Sequence, residues 1–205
     1  MFNPLKSKAN IFEEDHVCPW WMAYSFDNPI RKLFHQPQHI LGPFLKKDMT
    51  VMDIGCGMGF FSIAMAKLVG NGGRVFAVDL QEKMLNITMK RAGGAGVSPI
   101  INPHRCEYND IGLKEAADFI LVFWMVHEVT DRVHFFQQLR SNLTDRGKIF
   151  VAEPKLHVSA TTFEKIISAA GQAGLLVDSN PTVRFSHSAV LIPSRAQTGN
   201  RAVYK

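Results

Sequence analysis

The chain has no apolar run approaching the roughly 18 residues of a membrane span, and its first residues carry no apolar signal core. Neither a membrane protein nor an exported one is expected. Cysteine is scarce: Cys18, Cys56 and Cys106 are odd in number and show no C-x-x-C spacing. That argues against a disulfide framework and for a reducing, cytoplasmic setting. Lys and Arg outnumber Asp and Glu by 23 to 18, yet no basic run exceeds two residues, as at Lys46-Lys47 and Lys90-Arg91. A nucleic-acid footprint is therefore not expected. His16-x-Cys18 is too small a cluster to bind a metal, and Pro37 breaks any helix that would align His35 with His39. His127-Glu128-Val129-Thr130-Asp131 is not H-E-x-x-H, so a zinc protease is excluded by spacing. At 205 residues, 46% of them hydrophobic, one self-sufficient core is the simplest organisation.

What the chain does have is Val51-Met52-Asp53-Ile54-Gly55-Cys56-Gly57-Met58-Gly59-Phe60. Val51 to Ile54 read as a short buried strand holding one carboxylate. Glycines at 55, 57 and 59 make a tight turn into the apolar run Phe60 to Val69, which has helix length. Strand, turn and helix form half a βαβ unit, and ligands of such units lie at the carboxyl ends of the strands. Without a Cβ, glycine lets a ligand rest on the backbone and takes positive φ readily. The spacing separates cofactors. A dinucleotide fingerprint needs G-x-G-x-x-G, but position 60 is Phe, and no G-x-x-x-x-G-K-[ST] follows.

Asp53-x-Gly55-x-Gly57-x-Gly59 resembles motif I of the class I S-adenosyl-L-methionine (SAM)-dependent methyltransferases. After the turn at Gly70-Asn71-Gly72-Gly73, Arg74 to Val78 reads as a second strand ending in Asp79. A carboxylate there can accept hydrogen bonds from both ribose hydroxyls of a nucleoside, and Asp79 sits at the matching position of the family pattern. A helix N-cap is the alternative for a lone Asp after a strand. The family also carries an acidic residue after the third strand that binds the adenine amino group; Glu107 matches by position, with Asp110 as its rival. The resemblance implies SAM held by Asp53, Gly55, Cys56, Gly57, Gly59, Phe60, Asp79, Leu80, Glu107, Phe123 and Trp124. S-adenosyl-L-homocysteine is then the product, and no metal is required.

Outside this half the order of elements is legible. A polar start leads to Cys18-Pro19-Trp20-Trp21-Met22-Ala23-Tyr24, then a helix start at Asn28-Pro29 and a second short helix ending before Gly42-Pro43. Leu80 to Ala92 reads as a helix stopped by Gly93-Gly94. A third strand within Ser98 to Arg105 is an edge strand because it contains Pro99 and Pro103. Asp118 to Trp124 is a continuous apolar strand, as expected where both faces are covered. Asp131 caps a helix carrying Val133, Phe136 and Leu139, and Lys148 to Glu153 is a fifth strand. Thr161-x-x-Glu164 opens another helix as a capping box, and two strands close the chain within Leu175 to Val177 and Thr182 to Ile192.

By resemblance this is an α/β protein, a Rossmann-like seven-stranded, mostly parallel sheet with helices on both faces, its last strand antiparallel, behind an N-terminal helical cap. The expected divisions are a cap or lid over 1–48, a SAM-binding methyltransferase domain over 49–192 and a flexible tail over 193–205. Trp20, Trp21 and Tyr24 either pack on the core or cover the cofactor, since aromatic faces attract a sulfonium cation. The run after the fourth strand bears no likeness to [DN]-P-P-[YFW]. Phe123-Trp124-Met125-Val126-His127-Glu128-Val129 looks most like small-molecule methyltransferases of the quinone-biosynthesis type. His127 and Glu128 are the candidate catalytic residues, with His157 beyond the fifth strand as a further acceptor-side residue. The expected acceptor is a small molecule. A protein-directed methyltransferase and a non-catalytic SAM-binding domain are the alternatives.

Overall fold

Alternation along the central strands decides the layers. The computed structural model describes residues 35–194; Trp20, Trp21, Tyr24, the helix start at Asn28-Pro29 and the tail from 195 lie outside the described residues. Among the described residues the chain runs α1 (Pro37–Leu41), β1 (Thr50–Ile54), α2 (Phe60–Val69), β2 (Arg74–Asp79), α3 (Glu82–Gly94) and β3 (Ile101–Arg105). It continues through β4 (Ala117–Phe123), α4 (Arg132–Ser141), β5 (Leu143–Pro154), α5 (Ala160–Gln172), β6 (Leu175–Ser179) and β7 (Ser186–Pro193). Successive strand residues point to opposite faces. Val51, Phe119, Leu121 and Phe150 therefore pack with Phe61, Met65 and Leu85 of α2 and α3. Met52, Ile120, Val122 and Ile149 pack on the other side with Phe136, Leu139 and Ile166 of α4 and α5. Phe119 and Phe150 are both fully buried, each stabilising by about 1.5–3 kcal/mol.

The seven strands lie in the order β3-β2-β1-β4-β5-β7-β6, and β7 runs antiparallel to both neighbours. From β1 the chain winds outward through β2 to β3, then returns to place β4 on the other side of β1. That reversal beside β1 is the switch point at which open α/β sheets bind ligands. Pro103 is tolerated because β3 is an edge, paired with β2 alone.

Several boundaries differ from the sequence pattern for local reasons. The fifth strand starts at Leu143, and the Asp145-Arg146-Gly147 turn is absorbed as an irregularity between Ala117–Leu143 and Phe119–Lys148 pairing. The helix α3 runs through Gly93 and Gly94, because the left-handed stop falls at Gly96, φ 71°. The cap of α5 is Ser159, whose hydroxyl accepts the N–H of Thr162, so the helix begins ahead of Thr161. Asp131 does cap α4, accepting the N–H of His134 at 2.9 Å.

Candidate active site

Parallel register lines up the carboxyl ends of four strands. Ile54 is level with Val78 and with Val122, and Val122 with Val151. The next residues along, Gly55, Asp79, Phe123 and Ala152–Glu153, therefore stand in one row above the sheet. Around that row lies a cavity of about 1150 Å³, reaching from the glycine turn to the segment after β5.

The turn is built from backbone geometry that only glycine takes without strain. Gly55, Gly57 and Gly59 have φ of 73°, 53° and 78°. Gly55 and Cys56 both donate their N–H to the carbonyl of Val78 at 2.9 Å, tying the turn to β2. Gly57 donates to Oδ2 of Asp79 at 2.9 Å, while Oδ1 accepts the N–H of Gln81. Thr88 of α3 donates its hydroxyl to the Gly57 carbonyl at 2.9 Å. Asp53, buried at the cavity wall, accepts the hydroxyl of Ser62 at 2.5 Å and so anchors the strand to α2. Asp79 is buried, and burial raises its carboxyl above the ordinary value, opposed by the N–H groups of Gln81, Gly57 and Leu80.

Beside the glycine turn, at the end of β4, the chain breaks sharply. Trp124 has φ 63°, a strained conformation for a bulky residue, and its indole N–H donates to Oγ of Ser186 at 2.9 Å. His35, buried beside α1, stands edge-on to both Phe123 and Trp124 and donates Nε2–H to the Arg184 carbonyl at 2.9 Å. A single 3₁₀ turn, Val126–Glu128, then carries His127 to the cavity wall. Nδ1 of His127 lies 2.5 Å from Oε2 of Glu153, whose Oε1 accepts the N–H of Val126 at 2.8 Å. Glu128 is farther, 4.0 Å from Nε2. The hydrogen bond to Glu153 pushes the His127 pKa above its ordinary value, with partial burial opposing it.

Of the residues picked out by sequence, Asp53, Gly55, Cys56, Gly57, Phe60, Asp79 and Leu80 line the cavity on one side. Phe123, Trp124, His127, Glu128 and His157 line it on the other, and Glu107 stands at its edge. Gly59 does not reach it: a Cβ there would lie 2.7 Å from the Thr88 side chain, so its role is the approach of α2 to α3. Glu107 and Asp110 close a tight bridge backbone to backbone, and the Asp110 carboxylate turns to the N–H of Gly112 at 2.8 Å. Cys56 and Cys106 are held as neutral thiols chiefly by burial, Cys106 pushed up to about 11. Sequence reasoning missed Glu153 as a site residue. Its signal was a carboxylate closing the otherwise apolar run Ile149-Phe150-Val151-Ala152, at the end of a strand beside β4.

Comparison with known proteins gives the family and the fold. A family model for a methyltransferase domain matches residues 45–181. A protein of Saccharolobus solfataricus, named probable cobalt-precorrin-6B C(15)-methyltransferase (decarboxylating), is 45% identical over 88 residues, 43% of this chain and 39% of the relative. The ubiquinone biosynthesis O-methyltransferase of Methylobacterium sp. is 27% identical over 145 residues, covering 67% of this chain and 56% of the relative. In both cases the chain spans less than two thirds of the relative's length. A SAM dependent methyltransferase from Aquifex aeolicus shares the fold at TM-score 0.76 and 24% identity, covering 85% of this chain and 98% of that one.

Proposed function

Since the chain belongs to the class I SAM-dependent methyltransferase family, we propose that it transfers a methyl group from SAM to a small-molecule acceptor. The observation that carries this reading is Gly57. A Cβ built there meets nothing within 4 Å, so its bare backbone faces open cavity between Asp79 and the far wall. Both Asp79 oxygens hold backbone N–H groups, and a carboxylate has acceptor capacity beyond these for a ribose hydroxyl. The residues present thus fit a nucleoside, with Asp79, Leu80 and the backbone at Gly55 and Gly57 as its holders, and Glu107 toward the adenine. SAM, when bound, supplies an electrophilic methyl on its sulfonium.

The chain's own task is to hold an acceptor in line and exclude water, which accounts for most of what such a reaction needs. Phe61, Phe123 and Trp124 give an apolar wall toward the acceptor end. Tyr108, Leu156 and Phe185, large and exposed, stand around the same cavity and favour an acceptor with an apolar or aromatic face. The relatives named for precorrin and ubiquinone biosynthesis are consistent with a small acceptor. A cavity of about 1150 Å³ lies just above the upper end of the ~300–1,000 Å³ range of ligand pockets, which is consistent with a cofactor and a small acceptor. Trp20, Trp21 and Tyr24 serve in this reading as lid residues over the methyl donor. No helix of the described residues is long and apolar enough to cross a membrane, and the proposed setting is the cytoplasm.

Incubating the protein with methyl-labelled SAM and cell extract, then separating small from macromolecular components, tests the proposal. Label in the small-molecule fraction is expected. Label confined to protein, or no SAM binding by calorimetry, overturns it.

A further inference from the structure

Glu153 is wholly buried, yet nothing in the packing of β5 calls for an acid at its end. Phe150, Val151 and Ala152 before it are fully buried and apolar. A buried carboxylate is costly unless hydrogen bonds and charge compensate it. Here both oxygens are engaged, Oε1 by the N–H of Val126 and Oε2 by Nδ1 of His127. The ring they hold keeps a quarter of its surface exposed, and that surface belongs to the cavity. With Nδ1 turned to Glu153, the nitrogen left for the cavity is Nε2. The neighbouring Glu128 is beyond hydrogen-bond reach of it and is itself 26% exposed. Arg132 fixes the same turn from behind, donating Nε–H to the Val126 carbonyl at 3.3 Å.

We propose that Glu153 is the positioning residue of the acceptor site, holding His127 as its Nδ1–H tautomer so that Nε2 acts as base toward an acceptor that arrives carrying a proton. The proposal rests on the methyltransferase reading above. A neutral imidazole that donates Nδ1–H to a carboxylate presents a lone pair at Nε2. As a lone pair of the acceptor atom bonds to the methyl carbon, the bond from that carbon to sulfur breaks, with its electron pair left on sulfur as a neutral thioether. The acceptor's proton passes to Nε2. The acceptor loses one proton and the ring gains one, becoming imidazolium. That positive charge forms 2.5 Å from a carboxylate already in place, so no reorganisation is needed. The same hydrogen bond raises the basicity of the ring. The acceptors served are those protonated near neutrality: hydroxyls, which lose the proton as the methyl arrives, and ammonium groups, which must pass it to Nε2 first to free the attacking lone pair. Groups with no proton to give, such as a thioether or tertiary amine, gain nothing from this arrangement.

The ring reports on the proposal directly. Imidazole ¹⁵N shifts in the full-length protein distinguish the two tautomers, and a pH titration gives the His127 midpoint, with and without S-adenosylhomocysteine. His127 is expected in the Nδ1–H form when neutral, titrating above the ordinary value of about 6.5. Glu153→Gln keeps an oxygen for the Val126 N–H but removes the charge, and should lower the midpoint by about one pH unit or more. Glu128→Gln, which removes a charge 4.0 Å from Nε2, should leave the tautomer in place and lower the midpoint by less than Glu153→Gln does. An Nε2–H ring, an unmoved midpoint in Glu153→Gln, or a shift only in Glu128→Gln overturns the proposal. Should Glu153→Gln fail to fold, the wild-type tautomer and the Glu128→Gln titration decide alone. Calorimetry with S-adenosylhomocysteine on the same samples separates the two readings. Absence of binding removes the methyltransferase reading, whereas binding with the wrong tautomer removes only this one.

Discussion

Gly57 donates its backbone N–H to Oδ2 of Asp79 at 2.9 Å, so the glycine turn and the end of β2 are held as one piece. In the proposed reading Asp79 therefore has two tasks, one toward the nucleoside and one toward the glycine turn. Asp79→Ala is expected to weaken S-adenosylhomocysteine binding by roughly 1.5–3 kcal/mol, the scale of hydrogen bonds to a charged group. Calorimetry measures this directly, and unchanged affinity would remove Asp79 from the site.

The same residue predicts a pH dependence of binding. Burial raises the Asp79 pKa, so protonation begins above the ordinary carboxylate value of about 3.9. A protonated carboxyl accepts hydroxyl hydrogen bonds poorly, so affinity should fall as pH drops through that raised value. The unliganded fold responds in the opposite sense: a raised acid pKa favours the fold below the unfolded value and loses that contribution as pH rises. S-adenosylhomocysteine titrations at descending pH should show the loss in the wild type and a flat profile in Asp79→Asn.

Gly57 and Gly59 look alike in sequence but differ in what a side chain would meet. At Gly57 an added Cβ has open space, and only the positive φ is penalised, by about 1–2 kcal/mol. At Gly59 the Cβ would press on Thr88, buried in α3, at 2.7 Å. Gly57→Val is expected to abolish cofactor binding while the protein still unfolds cooperatively. Gly59→Ala should lower the unfolding temperature further than Gly57→Ala does. The reverse order of stabilities would contradict the assignment.

The glycine turn, Asp79 and the order of elements were legible because they are local. Each depends on a strand, its end and the next few residues. Glu153 was not, since its significance comes from β5 lying beside β4, which brings it within 2.5 Å of a ring 26 positions away. In sequence, Glu128 is the obvious partner for His127, but neighbours in one turn project in different directions. The three glycines look alike in the spacing for the same reason, and only the packing of Gly59 against Thr88 distinguishes it from Gly57. Glu107 and Asp110 were left as rivals, and the turn they share shows Asp110 occupied by Gly112.

The His127–Glu153 pair also predicts how stability varies with pH. The folded pKa of His127 is raised, chiefly by the Glu153 hydrogen bond. The pair's contribution is therefore fully present below about 6.5 and is lost as pH rises through the folded value. Comparing the denaturant midpoints of wild type and His127→Asn, the gap should be widest on the acid side of that window. It should close above it. A gap that does not vary with pH would mean that the ring contributes by packing alone.

Replacing His127 by Ala separates chemistry from architecture. The ring follows β4, whereas the turn and Asp79, the proposed support of the cofactor, follow β1 and β2. S-adenosylhomocysteine affinity should therefore hold within a few-fold in His127→Ala. Methyl transfer from labelled SAM into the small-molecule fraction should fall roughly 10²–10⁴-fold, the range for loss of a general base. If binding and turnover fall together, the ring is supporting the turn after β4. If neither changes, the base lies elsewhere, and His157 is the next candidate: its ring centroid is 6.4 Å from that of His127, and it lines the same cavity. His157→Ala measured alongside then shows which of the two imidazoles the acceptor meets.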